Sequence, residues 1–129
     1  MFQSTILEIN PDFPSQVRRG INELLAKLDY QPVWQTIEWQ LMLRESEYAA
    51  KSFFVGIYAQ EKLLSYALLE KRSVGLGVYG FFAVGGPVVQ EPASLGNLSE
   101  TMRRLAKEEK VVFVELEPTK EVHLLGFTA

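Results

Sequence analysis

Residues 71–89 read KRSVGLGVYGFFAVGGPVV. Within them, Arg72-x-x-Gly75-x-Gly77 has the arginine-and-glycine spacing of a loop that wraps a pyrophosphate. Such a loop works where it opens a helix, because the helix N-terminus supplies the N–H groups and the dipole that meet the anion. Here Gly77 runs instead into Val78-Tyr79-Gly80-Phe81-Phe82, an aromatic strand, and the segment reads as a bend between strands. Gly85-Gly86-Pro87 is better placed, because it leaves that strand and precedes a helix. Two glycines permit positive φ and let a ligand approach the backbone. A bulge where the sheet splays would use the same residues.

Other side chains with chemical potential are scattered. Gln35 stands just before a helix and could orient a peptide or cap the backbone. Trp39 could face a ligand, or pack with Ile37, Leu41 and Leu43. Arg44 could meet a phosphate, although a cation near a helix C-terminus also suits the dipole. Arg103, Lys107 and Lys110 lie along one helical face with Arg104 beside them, as tRNA or anion contacts or as a solvated face. Glu115 and Glu117 alternate on one strand face, where they could bind a cation or an amine, or form a polar stripe. His123 is the only histidine and has no serine or cysteine partner that can be placed, so it reads as an ordinary helix residue. With no cysteine there is neither a thiolate metal site nor a thiol nucleophile, and no metal motif exists.

At 129 residues the chain is one domain by length. Its net charge of −3 gives no general attraction to nucleic acid, so contact with RNA would need a local basic patch. The N-terminus lacks a basic region followed by an apolar core, and the longest apolar stretch is interrupted by glycine and proline. Together with the absence of cysteine, this fits a soluble cytoplasmic protein.

The elements that must position these residues follow from periodicity. Ser4 to Ile9 reads as a strand, and Val17, Ile21, Leu24, Leu25 and Leu28 predict a helix over 14–28, with Asp12 as its cap. Thr36 caps a second helix through IEWQLMLRES. Ser52–Ala59 and Leu63–Arg72 form a hairpin about Gln60-Glu61-Lys62, and Val78–Val84 is the third strand of the meander. Leu95, Leu98, Met102 and Leu105 make a core stripe on a helix capped by Ser94. VVFVELE then predicts a strand whose first four residues are buried on both faces. A last helix begins at Lys120 and stops at Gly126. The fold class is α/β with a mixed sheet flanked by helices.

Four segments in this order carry a resemblance. WQTIEWQLML resembles a Gln-Ser/Thr-x-x-Trp helix start, and LLSYALLEKRSVGLGVYGFFAVGGPVV resembles two strands running into Gly-Pro-Val. LAKEEKVVFVELEP resembles a lysine-rich turn followed by an apolar strand and Glu-Pro, and LLGF resembles Leu-x-x-x-Gly-Phe. Together they are similar to the FemABX-like family, peptidoglycan bridge aminoacyltransferases with a GNAT-like fold. The resemblance implies a single GNAT-like domain over 1–129, the first domain of that architecture without its last strands. It implies transfer from aminoacyl-tRNA to the stem peptide of a muropeptide precursor, with no cofactor. Substrate would be bound by Gln35, Trp39, Arg44, Tyr79, Gly85 and Gly86. Leu43 stands where the family carries a basic residue four positions after the tryptophan, and Arg44 is rotated from it by roughly 100° of helix. A second copy or a partner chain would supply the missing strands. The other readings are a non-catalytic binding or scaffold module, and a small acyl-CoA-dependent N-acyltransferase.

Overall fold

The computed structural model describes residues 1–30, 32–46, 49 and 51–118. Strand β1 (Gln3–Glu8) leads to helix α1 (Ser15–Leu25), a 3-10 turn at Val33–Gln35 and helix α2 (Ile37–Glu45). A meander follows: β2 (Lys51–Ala59), β3 (Lys62–Gly75), β4 (Val78–Gly85) and the two-residue β5 (Val88–Val89). A second 3-10 turn (Pro92–Ser94), helix α3 (Leu95–Glu108) and β6 (Val114–Pro118) complete the described chain. The expected helix from Lys120, and His123 with it, lies outside the described residues.

The sheet order is β1-β2-β3-β4-β6, with β5 also paired to β3. All pairs are antiparallel except β4 and β6, which run parallel with Phe82 beside Glu115 and Val84 beside Glu117. Strand alternation sends one set of apolar side chains to each face. Val55, Ala67, Leu69 and Phe81 pack under the α3 stripe of Leu95, Leu98, Met102 and Leu105. On the other face, Phe54, Tyr66 and Leu68 pack under Ile21 and Leu24 of α1 and Ile37 of α2. The sheet is therefore a middle layer, and the expected α/β class with helices on both faces is what the chain adopts.

Several local expectations need correction. Helix α1 has no side-chain cap: Pro14 holds the cap position, and Asp12 gives its N–H to Asn10 Oδ1 in the preceding turn. Thr36 does cap α2, accepting from Trp39 N at 3.3 Å. Ser94 stands at the α3 cap position, but its hydroxyl bonds to Ser65 Oγ and Glu91 O. VVFV is not buried on both faces. Val112 is 66% exposed, Phe113 is 39% exposed, and the strand begins only at Val114. Only β4 flanks this segment among the described residues.

The Arg72-x-x-Gly75-x-Gly77 motif is a hairpin, as its setting predicts. Leu76 and Gly77 form the two-residue turn with φ of 54° and 74°, and Gly75 sits at a register shift with φ of 106°.

Candidate functional site

The strand opposite β3 is interrupted at Gly85-Gly86-Pro87. Glu70 faces Phe82 in β4, yet Tyr66 faces Val88 in β5, so four steps along β3 are matched by six on the other side. The extra chain is taken up by Gly85, with φ of 74°, and by a cis Gly86–Pro87 peptide. An interruption of this kind removes ladder bonds from backbone groups that remain buried, and these need substitutes.

Gln35 supplies them. Its side-chain Oε1 accepts from Leu68 N at 2.8 Å, and Nε2 donates to Leu68 O at 3.2 Å and to Val84 O at 2.9 Å. The residue is fully buried, and Tyr66 OH donates to its main-chain oxygen. A carboxamide carries the same donor and acceptor as a peptide group, so Gln35 occupies the sheet as a short piece of strand would. Gly86 is the other half of the arrangement. A Cβ there would lie 2.6 Å from Gln35 Cδ, so only glycine lets the backbone pass. Burial pushes the Tyr66 hydroxyl far above its ordinary range, with smaller contributions from Tyr30 and Glu38, and it stays a donor.

Gln35 also fixes what precedes and follows it. Trp34 and Trp39 make an edge-to-face pair at 6.2 Å, and Trp34 is 40% exposed. On the α2 face of the sheet, Phe82 and Val84 are flanked by Glu115 and Glu117, both exposed on β6. Deeper in, the buried Glu70 carboxylate accepts from Gln40 Nε2 at 3.0 Å and from Arg72 Nε at 3.1 Å. Gln40 Oε1 in turn accepts from Ser52, and the Arg72 guanidinium lies 4.7 Å from the Phe82 ring centre. Phe113 packs edge-on against Phe82 and lies where a side chain at Gly80 would be. Gly85 and Gly86 are themselves buried, with Gln35 filling the space beside Gly86. The exposed part of this corner is therefore the Trp34 ring on one side and two carboxylates on the other, resting on a hydrogen-bonded base.

Of the residues singled out from sequence, the fold brings together Gln35, Trp39, Gly85 and Gly86. The Gln35 amide is used entirely inside the sheet. Arg44 stands at the other end of α2, where Nη1 donates to Ile9 O at 2.8 Å and lies 4.0 Å from Glu8. Tyr79 is six residues from Gly85 along one strand, roughly 20 Å. Its ring lies 5.0 Å from Lys71 Nζ, and that lysine pairs with Glu109 at 3.2 Å. Arg103 and Lys107 line an open groove on α3 with Gly96 and Glu100. Arg104 reaches Ser4 Oγ at 3.3 Å, and Lys110 follows the helix with φ of 57°. Sequence reading missed Gln40, Glu70 and Trp34 as parts of this region. No group of histidine, cysteine, aspartate and glutamate able to hold a metal occurs among the described residues. No helix among them is long and apolar enough to cross a membrane.

No protein-family model matches the sequence, and no curated protein sequence is similar to it. Solved structures are similar in fold. Glucosamine-6-phosphate N-acetyltransferase from Arabidopsis thaliana is 19% identical with a TM-score of 0.59, over 92% of this chain and 83% of that one. Ribosomal-protein-alanine N-acetyltransferase from Brucella melitensis biovar Abortus is 11% identical with a TM-score of 0.63, over 93% and 81%. An aminoglycoside N-acetyltransferase solved in complex with CoA is 12% identical with a TM-score of 0.55, over 92% and 79%. The chain has the fold of the GNAT acetyltransferases.

Proposed function

We propose that this chain transfers an acyl group from an activated donor to a primary amine, at the interruption of β4. The finer reading takes the donor as an aminoacyl-tRNA and the acceptor as the stem-peptide lysine of a cytoplasmic muropeptide precursor. The observation that carries it is the Gly85-Gly86 interruption held by Gln35, with Glu115 and Glu117 on the strand beside it. In this reading the carboxylates attract the acceptor's ammonium group and orient it. After losing a proton to solvent, the amine nitrogen attacks the ester carbonyl carbon. The C–N bond forms, the nitrogen gives up its second proton, the bond to the ribose oxygen breaks, and that oxygen takes up a proton to leave as the hydroxyl. An ester is already activated, so holding the two reactants together accounts for most of the rate such a site needs. Arg103 and Lys107 on α3, with Lys110 just past its end, would give tRNA phosphates a set of cations.

A second reading, transfer from an acyl-CoA, draws on the similar fold solved with CoA. One local feature opposes it: the Glu91 carboxylate accepts from Ala93 N at 3.3 Å just ahead of α3. A pyrophosphate seeking that helix start would meet a like charge.

The test supplies the chain with labelled aminoacyl-tRNA and a UDP-linked muropeptide, and separately with labelled acetyl-CoA and the same acceptor. Label on the lysine amine from tRNA alone supports the finer reading. Label from acetyl-CoA moves the assignment to the second, and transfer from neither leaves a binding or scaffold module. The proposal also places a strand from a second copy or partner chain on the edge of β6, which pairs only with β4 among the described residues. A stable monomer in dilute gel filtration would remove that part.

A further inference from the structure

A separate groove of about 510 Å³ lies between α1 and the sheet end formed by β1, the β2–β3 turn and Gln90. Its volume suits a small polar ligand. Three observations bear on what that ligand is.

The first is charge. Arg19, Lys27 and Lys62 line the groove together with Glu23 and Glu61. Among the described residues none of these five side chains belongs to any of the ion pairs. A purely anionic ligand would meet the two glutamates, and a purely cationic one the three basic groups. A molecule carrying both charges satisfies both sets.

The second is an orphan acceptor. Gln90 lines the groove, and its Oε1 is buried with no hydrogen-bond partner among the described residues. A buried acceptor without a donor is costly, so turning the Gln90 side chain into the groove to meet a ligand N–H or O–H would relieve that cost.

The third is Gly20. It lies inside α1, where glycine is a poor helix former. A Cβ at this position would meet nothing within 4 Å. No packing requires the glycine, which forms part of the groove wall beside open space.

We infer that this groove binds a small zwitterionic peptide or amino acid, with its carboxylate toward Arg19, Lys27 and Lys62 and its ammonium or amide N–H groups toward Glu23, Glu61 and Gln90. No residue of α2 lines the groove, and the inference does not depend on the acyl-transfer reading.

The test is an NMR titration of the ¹⁵N-labelled chain with triglycine, N-acetyl-triglycine and triglycine amide. Triglycine is expected to shift the amides of Thr5, Gly20, Glu23 and Lys62, and each derivative lacking one charge to bind at least about tenfold more weakly. Gly20→Leu puts a side chain into the open space and should abolish the shifts while the rest of the spectrum stays folded. Gln90→Leu should weaken binding without changing the fold. No shift with triglycine overturns the inference. So does equal binding of the blocked derivatives, equal response to inorganic phosphate, or undiminished binding by folded Gly20→Leu.

Discussion

Gln35 and Leu68 are paired as two residues of neighbouring strands would be, although one of them contributes only its side chain. Leu68 gives its N–H to Oε1 and receives Nε2 on its carbonyl, and the same Nε2 reaches Val84 O. A single carboxamide thus joins β3 and β4 across the place where their own ladder fails.

Gln35→Leu is close in size but leaves Leu68 N, Leu68 O and Val84 O without partners. Unsatisfied buried groups cost about 1–3 kcal/mol each before relaxation, so a loss of about 3 kcal/mol is expected in urea denaturation. An unchanged midpoint would remove the amide from its assigned role.

Gln35→Glu separates charge from shape. An ionised carboxylate would face two carbonyl oxygens, so folding favours its protonated form and raises its folded pKa above the unfolded value. Stability is then highest below the unfolded pKa, about 4.3, and falls as pH rises through the folded one. The gap between this variant and the wild type should widen from about pH 4 to pH 8 in parallel denaturation curves. A constant gap would contradict the prediction.

Gly86→Ala places a methyl 2.6 Å from Gln35 Cδ. Overpacking of this order costs about 1–3 kcal/mol. Combined with Gln35→Ala the clash disappears, so the double variant should be more stable than the sum of the two losses implies. Strict additivity in the cycle would mean the two residues do not share a contact.

Arg72→Ala leaves the Glu70 carboxylate buried beside Gln40 with its charge uncompensated. Breaking such a pair costs about 3 kcal/mol. Adding Glu70→Gln should recover much of it, because Gln40 can rotate its amide to serve a neutral partner. Thermal unfolding of the two variants compares them directly, and no recovery in the double variant would count against the charge argument.

Leu76 is fully exposed and sits at φ of 54° in the two-residue turn. Asparagine adopts that conformation more readily than leucine and is favoured before glycine in such turns. Leu76→Asn should therefore raise stability by about 0.5–1 kcal/mol, read from the midpoint of chemical denaturation.

Much of the framework could be read from local pattern. The helix stripes, the Thr36 cap and the hairpin at Gly77 depend on residues close in sequence, and they stand where expected. The Gly85-Gly86 interruption could be placed, but not its filler. Gln35 meets Leu68 and Val84 across 33 and 49 residues, and a glutamine before a helix gives no local sign of such partners. Asp12 failed as a cap because Asn10 formed the turn first. Val112 and Phe113 looked like core by composition, and their exposure depends on which strands stand beside them. The same limit hid Glu70, whose burial makes sense only with Gln40 and Arg72 in place.

Both indoles of the molecule are Trp34 and Trp39, and they touch each other next to Gln35. Fluorescence excited at the tryptophan edge therefore reports from one corner and carries almost nothing about α1, α3 or β1. If that emission changes at lower denaturant than the far-ultraviolet circular dichroism, the corner has let go while the sheet persists. Coincident curves would mean that the amide wedge is released only when β3 and β4 part.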